Sequence, residues 1–330
     1  MRYVIYGTGA IGGILGARLL AAGHRVVFIA RGNTLEVLRR DGLRLRSPGA
    51  DHTVAVDAVE DPAAVGIAAD DVVIMATKSQ DAPGAITALA GCAPADVVVF
   101  CAQNGVANER LALRCFRNVY GMFVYVFGLH LSPAVVQCYT APSFGVVDLG
   151  RCPGGIDEMA HRTAGHLVAA GFDCIARRDI MRWKHGKLLA NLANVLHAAC
   201  GPDAPVADVL DQARLEGEAC FRAAGIPYAT ADERTRRIAA LQPLQTIDGA
   251  PFPGGSSWQS LARGTGNMET DFLNGEVVLL GRLHGVPTPA NEMLQSLARR
   301  MAQQGMSPGS LAPGDVRALL AATDKTAAAD

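Results

Sequence analysis

The feature that most restricts this chain is Gly7-Thr8-Gly9-Ala10-Ile11-Gly12, which begins where the β-branched run Arg2 to Tyr6 ends. A G-x-G-x-x-G placed directly after a strand and opening a helix is the turn on which a doubly wound α/β sheet receives a dinucleotide. Each glycine has a mechanical reason. Gly7 permits the tight turn, Gly9 lets a pyrophosphate approach the backbone, and Gly12 lets the helix lie close to the strand. The helix N-terminus adds N–H groups facing the anion, with Thr8, Ala10 and Ile11 completing the cradle. The chain should therefore open with a Rossmann-type α/β domain built on a mostly parallel sheet.

Short β-branched runs alternate with Ala-rich or amphipathic stretches as far as about position 177, the pattern of successive βα units. It predicts strands at Arg2–Tyr6, Arg25–Ile29, Asp71–Met75, Val97–Phe100 and Val119–Met122, with helices over 10–22, 34–40, 79–90 and 106–114. Ala134–Tyr139, Ser143–Val147 and Phe172–Ile175 read as a further small group of strands under a helix near 156–170. From Arg178 the β signal is lost, and helical periods run over 179–199, 205–224, 257–263, 267–284 and 289–303. Pro205 suits a first helical turn, Gly225-Ile226-Pro227 a stop, and the Gly/Pro-rich 248–257 a loop. The expected division is an α/β domain at 1–177 and an all-helical domain at 178–330, with 311–330 fraying beyond a short helical turn.

Composition narrows the function classes. With 50% hydrophobic residues the chain is no disordered segment, and 30 Lys+Arg against 31 Asp+Glu leave no global field for nucleic acid or an anionic membrane. The eight cysteines are never closer than nine positions apart, so neither a redox CxxC nor a zinc knuckle is present, and no other group has metal-ligand spacing. No apolar run approaches the roughly 18 residues of a membrane span. A cytoplasmic protein is expected, with a small molecule as partner and neither nucleic acid nor membrane.

At the end of the second strand, Ile29-Ala30-Arg31 carries a guanidinium where an NAD enzyme would place a carboxylate for the ribose hydroxyls. Arginine grips a 2′-phosphate that a carboxylate would repel, which favours NADP(H); a solvated surface arginine is the alternative. Thr77-Lys78-Ser79-Gln80 and Gln103-Asn104-Gly105 also leave carboxyl ends of strands. Lys78 and Asn104 should face cofactor or substrate, although Asn104-Gly105 is equally a plain turn pair.

Carbonyl reduction needs a proton donor beside the hydride donor and a group to orient the substrate. Within the helix expected at 179–199, Lys187, Asn191 and Asn194 fall at i, i+4 and i+7 on one face among apolar neighbours. Polar groups so placed need partners or a purpose. His185, His197 and His284 are alternative acids, but none has an evident carboxylate to orient it.

Lys187-Leu188 with Asn191 at i+4, downstream of Trp183, resembles the catalytic helix of the ketopantoate reductase (2-dehydropantoate 2-reductase) family. The other marks follow in the family's order: G-T-G-A-I-G-G, Ala30-Arg31, T-K-S-Q, Q-N-G, Ser256-Ser257, Glu269 in M-E-T-D-F-L-N-G, and Gly285-Val286-Pro287-Thr288-Pro289 with Asn291. The resemblance implies a second domain of the 6-phosphogluconate-dehydrogenase-like helical type. It implies Lys187 as general acid with Glu269 orienting it, Asn191 and Ser257 as substrate contacts, and Arg31 as ligand of the 2′-phosphate. Asn194 and Asn104 are further candidate substrate contacts. For Glu269 there is a plainer account, since Asn267 resembles a helix cap and a first-turn glutamate suits the helix dipole.

The departures are local. Val195 stands where the family often carries a second Asn, Trp258-Gln259-Ser260-Leu261 replaces an M-x-Q-D-like segment, and Gly254 stands where a polar residue is usual. Three readings follow: an NADPH-dependent 2-keto acid reductase; a reductase of the same architecture acting on another keto acid, an imine or a hydroxy acid; and a silent NADP-binding sensor. Retention of Lys187 and Glu269 speaks against the sensor. Monomer and homodimer are both compatible with the layout.

Overall fold

The computed structural model describes residues 1–264 and 266–327. The first strands and helices are β1 (Arg2–Tyr6), α1 (Ala10–Ala21), β2 (Arg25–Ile29), α2 (Gly32–Asp41), β3 (Leu43–Ser47), β4 (Ala50–Val54) and β5 (Asp57–Val59). They are followed by β6 (Val72–Met75), α3 (Ala82–Ala90), β7 (Val98–Cys101), α4 (Ala107–Ala112), β8 (Asn118–Tyr125), β9 (Gly128–Leu129), β10 (Val135–Cys138), β11 (Val146–Arg151) and α5 (Glu158–Ala169). Seven strands form one sheet in the order β11-β8-β7-β6-β1-β2-β5, parallel throughout except that β11 runs antiparallel to β8. The chain leaves β1 toward β2 on one side and returns to β6 on the other, so the switch point of the sheet lies at β1.

The period-2 alternation of β1 is resolved into two cores. Tyr3 and Ile5 join Ile14, Leu15 and Leu19 of α1 and Leu167 of α5, while Val4 and Tyr6 join Ala85, Ile86 and Leu89 of α3. Helices thus cover both faces, as a parallel sheet requires.

Three strands between 43 and 59 are additions to the expected set. In Leu43–Ser47 the leucines are buried and Arg44 points out, an alternation that pairs β3 with β4 and, in parallel, with β10. These strands and β9 make a separate sheet, β4-β3-β10-β9. The expected strand at Ser143 begins only at Val146, because the Ser143 hydroxyl accepts from Gly145 N–H (3.3 Å) in a turn. Phe172–Ile175 forms no strand: it meets β11 through isolated bridges at Asp173 and, just beyond it, Ala176, and through Ile175 N–H, which donates to Asp148 Oδ1 (3.0 Å).

The remaining helices are α6 (Ile180–Asn191), α7 (Asn194–Cys200), α8 (Ala207–Ala223), α9 (Ala231–Ile238), α10 (Ser256–Ala262), α11 (Asn274–His284), α12 (Pro289–Gln303) and α13 (Pro313–Ala327), with a 3-10 turn at Glu269–Phe272 before α11. The helix read over 179–199 is broken: Ala193 N–H reaches back to Ala190 O at 3.4 Å, a tighter turn that separates α6 from α7. The helix read from 267 begins instead as the 3-10 turn, capped by Met268 without a side-chain bond, so Asn267 is not its cap residue. Pro205 lies before α8, whose N-cap is Val206. The tail expected to fray over 311–330 holds α13, which packs on α12 and whose Arg317 pairs with Asp208 of α8 at 2.7 Å; residues 328–330 lie outside the described ones.

Met1–Lys184 and Ala231–Phe252 pack as one compact unit, while His185–Thr230 and the chain from Pro253 pack as another. The first unit therefore includes a segment that was expected in the helical domain at 178–330. Charge pairing explains its return. Asp148 on β11, fully buried, accepts from Arg237 of α9 at 2.6 and 2.8 Å and from Arg177 at 2.5 Å. Burial works against the Arg237 charge, yet its hydrogen bonds to Asp148 and Asp173 outweigh that and hold the guanidinium above its ordinary pKa. In the second unit Glu216 of α8 caps α12, accepting from Ala290 N–H (2.8 Å), Asn291 N–H (3.0 Å) and the Asn291 amide (2.7 Å). Asn291 in turn accepts from Asn274 of α11 (3.1 Å), so one polar chain locks three helices.

Candidate active site

In the first unit the expected cofactor residues converge on the carboxyl edge of the sheet. Gly7 N–H donates to Ile29 O (3.0 Å), Ala76 N–H to Tyr6 O (2.8 Å) and Ala102 N–H to Met75 O (2.9 Å), which lines up the loops after β1, β2, β6 and β7. Thr8 is buried and its hydroxyl donates to Ile29 O at 3.4 Å. Gly7 has φ +104°, and a Cβ on it would meet Thr77 N at 2.7 Å. A Cβ on Gly12 would lie 2.0 Å from Gly7 O, whereas one on Gly9 would meet nothing within 4 Å. Two glycines are thus consumed by packing and the middle one faces open space, as an approaching pyrophosphate would need. Ala10 and Ile11 open α1, which has Gly9 as its N-cap and no side chain satisfying its first N–H groups.

Arg31 is exposed at the end of β2 and caps α2. It lies close to the Tyr6 hydroxyl: burial pushes the phenol up, and the guanidinium pulls it partly back. Lys78 and Asn104 are half-buried, one in the loop after β6 and the other in the loop after β7, where Gly105 adopts φ +76°. The two loops are tied together, since Asn108 donates to Ser79 Oγ (3.1 Å) and to Asn104 O (3.4 Å). Gln103 Oε1 and Asn108 Oδ1 are buried there with no hydrogen-bond partner. The residues present fit a nicotinamide dinucleotide: a glycine turn with one open face, a helix N-terminus without a side-chain cap, a cation at the end of β2 and unspent acceptors in the loop after β7 and the first turn of α4.

The other candidates belong to the second unit. Lys187 and Asn191 lie one turn apart on α6, both half-buried. The Asn191 amide nitrogen is buried without a hydrogen-bond partner. Ser257, 1% exposed in the first turn of α10, likewise has an unpartnered hydroxyl, as does Ser256. Glu269 is 5% exposed at the head of the 3-10 turn, which packs on α11 and α12. Arg263 follows α10; burial lowers its pKa, and attraction to Glu269 partly restores it, so the carboxylate lies near the end of the serine helix. Asn194 does not share the helix of Lys187. The break at Ala193 makes it the first residue of α7, on which α10 packs. The premise of one stripe through 187, 191 and 194 fails, and only Lys187 and Asn191 keep it.

Two buried ionisable residues beside the carboxyl end of β7 are additions to the expected site. Lys184 of α6 and Glu109 of α4 form an ion pair in the first unit, 3% and 0% exposed. Burial pushes the Glu109 carboxyl up, and Lys184 opposes it. One signal was readable: Gly121 interrupts the apolar β8, and glycine inside a strand marks a close approach by another group. Among the described residues no group of three His, Cys, Asp or Glu is arranged to hold a metal, and no helix is long and apolar enough to cross a membrane.

Comparison with known proteins agrees with this layout. Family models described as ketopantoate reductase PanE/ApbA and its C-terminal region match residues 3–152 and 179–302. A 2-dehydropantoate 2-reductase of Mesorhizobium japonicum is 30% identical, with 92% of this chain and 98% of that protein covered. One from Archaeoglobus fulgidus is 29% identical over 90% of this chain and 97% of its own. The crystal structure of a PanE/ApbA family ketopantoate reductase from Ralstonia eutropha JMP134 superposes with a TM-score of 0.77 at 29% identity, covering 92% of this chain and 99% of the other. The two family models together span most of the chain and, with a relative 30% identical along nearly its whole length, show that the chain belongs to the ketopantoate reductase family of oxidoreductases.

Proposed function

We propose that this protein uses NADPH to reduce a small 2-keto acid to the 2-hydroxy acid, with 2-dehydropantoate (ketopantoate) the first candidate and pantoate, for pantothenate biosynthesis, its product. The observation that carries the reading is that Asn191 and Ser257 bury polar atoms without partners in the unit that holds Lys187 and Glu269. Such atoms are costly unless a ligand completes them, and a keto acid carries the acceptor oxygens they lack. A reduced nicotinamide, when bound, supplies the hydride. Lys187 carries the proton at Nζ and delivers it to the substrate oxygen as charge develops there, while Glu269 orients the ammonium. Asn191 and Ser257 hold the substrate, and Asn104 serves the cofactor or the substrate at the edge of the sheet. Gly7 to Gly12 cradle the pyrophosphate, Lys78 faces the cofactor, and Arg31 grips the 2′-phosphate of NADPH.

One feature favours a substrate other than ketopantoate. Gly254 has φ +158°, and a Cβ there would lie 2.5 Å from the Trp258 ring, so the indole occupies the space that the family's usual polar side chain would need. The experiment is NADPH oxidation across a panel of 2-keto acids, ketopantoate included, with NADH in parallel. Rapid turnover with ketopantoate supports the first substrate, turnover only with another keto acid makes Trp258 the determinant, and no turnover with any of them moves the reading to an imine or hydroxy acid substrate, or to the silent sensor.

A further inference from the structure

Lys184 spends its whole donor capacity inside the first unit. Beyond the Glu109 carboxylate, its ammonium donates to Cys101 O (3.3 Å) and Gln103 O (3.0 Å), the carbonyls at which β7 ends and the Gln103-Asn104-Gly105 loop begins. The next carbonyl, Asn104 O, accepts from Asn108 (3.4 Å) and from Ser79 Oγ (3.5 Å). Three carbonyls in the span 101–104 therefore accept from buried side chains.

The surroundings are shaped for the pair. A Cβ on Gly121 would come 3.2 Å from Lys184 Cδ and 3.4 Å from Glu109 Oε1, so a larger residue in the middle of β8 would press on both. Two charges removed from water stabilise a fold no better than apolar residues of the same volume, and often less well. A methionine or leucine at 184 would fill the site, but it could not donate to the carbonyls of Cys101 and Gln103.

We infer that Lys184, held by Glu109, is a positioning residue that sets the backbone of the Gln103-Asn104-Gly105 loop for the dinucleotide. The inference rests on the proposed role of that loop in cofactor binding. Lys184 touches neither cofactor nor substrate and acts only through the carbonyls it holds.

The test is the affinity of the full-length protein for NADPH, read by calorimetric titration, alongside its thermal midpoint. Lys184→Met should weaken NADPH binding by about 10–100-fold, the scale of a displaced binding loop, and Lys184→Arg should recover part of the loss. Because Lys184→Met leaves Glu109 unpaired and can unfold the unit, the decisive variant is Lys184→Met with Glu109→Gln. It should regain most of the thermal midpoint while still binding NADPH at least about tenfold more weakly than the wild type. Wild-type affinity in this stable double variant would overturn the positioning role. Failure of the wild type itself to bind NADPH would instead remove the assignment of the loop, and the inference with it.

Discussion

Two sets of buried polar groups in the helical unit are treated in opposite ways. Around Glu216, three donors from Ala290 and Asn291 meet one carboxylate, and Asn291 spends its remaining amide bonds on Ala213 O (2.9 Å) and on the Asn274 amide. At Asn191, Ser256 and Ser257, donors equally withdrawn from water have no partner in the protein. The first set joins helices and is paired throughout except at Asn274 Oδ1, which is left without a partner. The second costs stability and gives nothing back within the fold, which is the arrangement expected of groups completed by a substrate. Asn191 and Asn291 are the same residue type, each on a helix of the same unit, and only their partners distinguish them.

That contrast can be broken by mutation. The largest effect is expected at Lys187, which the proposal places at the reacting oxygen: Lys187→Ala should lower turnover by about 10²–10⁴-fold with little change in NADPH affinity. Unchanged turnover would remove it from the mechanism. Glu216→Ala is the counterpart on the paired side. It strands three buried donors and should cost about 2–5 kcal/mol in urea unfolding, with kcat near wild type at low temperature, where the fold survives. An unaltered unfolding midpoint would mean the network is not the lock described.

Smaller effects fall in the first unit. Arg31→Ala should weaken NADPH by about 10–100-fold and NADH hardly at all, because only NADPH loses a charge-assisted contact; equal losses would rule out the 2′-phosphate role. The smallest effect is on the pH dependence of stability. Tyr3 Oη and His166 Nδ1 satisfy each other at 2.8 Å, with the His24 ring 4.2 Å from that of His166. Burial lowers both imidazole pKa values from the ordinary 6.5, aided at His166 by the neighbouring His24. The unfolded chain then binds more protons than the folded one below about pH 6.5, so stability should fall as the pH is lowered through that range. His166→Gln should flatten the fall of the thermal midpoint between about pH 7 and 5.5, and an identical slope would exclude the pair as its source.

The first unit was legible in sequence where backbone mechanics dictate residue type. Gly7, Gly9 and Gly12 are fixed by a turn, an open face and a close approach that would leave a Cβ on Gly12 only 2.0 Å from Gly7 O, and each leaves its mark at a known spacing. What escaped depends on partners far along the chain. Glu109 lies in a short helix and Lys184 beside a tryptophan, and neither hints at the other 75 positions away. Arg237 brings α9 back to the first unit through Asp148 and Asp173, a choice that local helical pattern cannot express. The break at Ala193, which removes Asn194 from the Lys187 stripe, is likewise set by packing, since no Gly or Pro occurs between 187 and 200.

The contrast between paired and unpaired groups is tested most directly by measuring KM for the preferred 2-keto acid and the thermal midpoint on the same preparation of Ser257→Ala. A hydroxyl with no partner in the fold contributes little to stability, so the midpoint should stay within a shift corresponding to about 1 kcal/mol, while KM rises about tenfold. A lowered midpoint with KM unchanged would contradict the account, because Ser257 would then belong with Asn291 among the groups that hold the protein together.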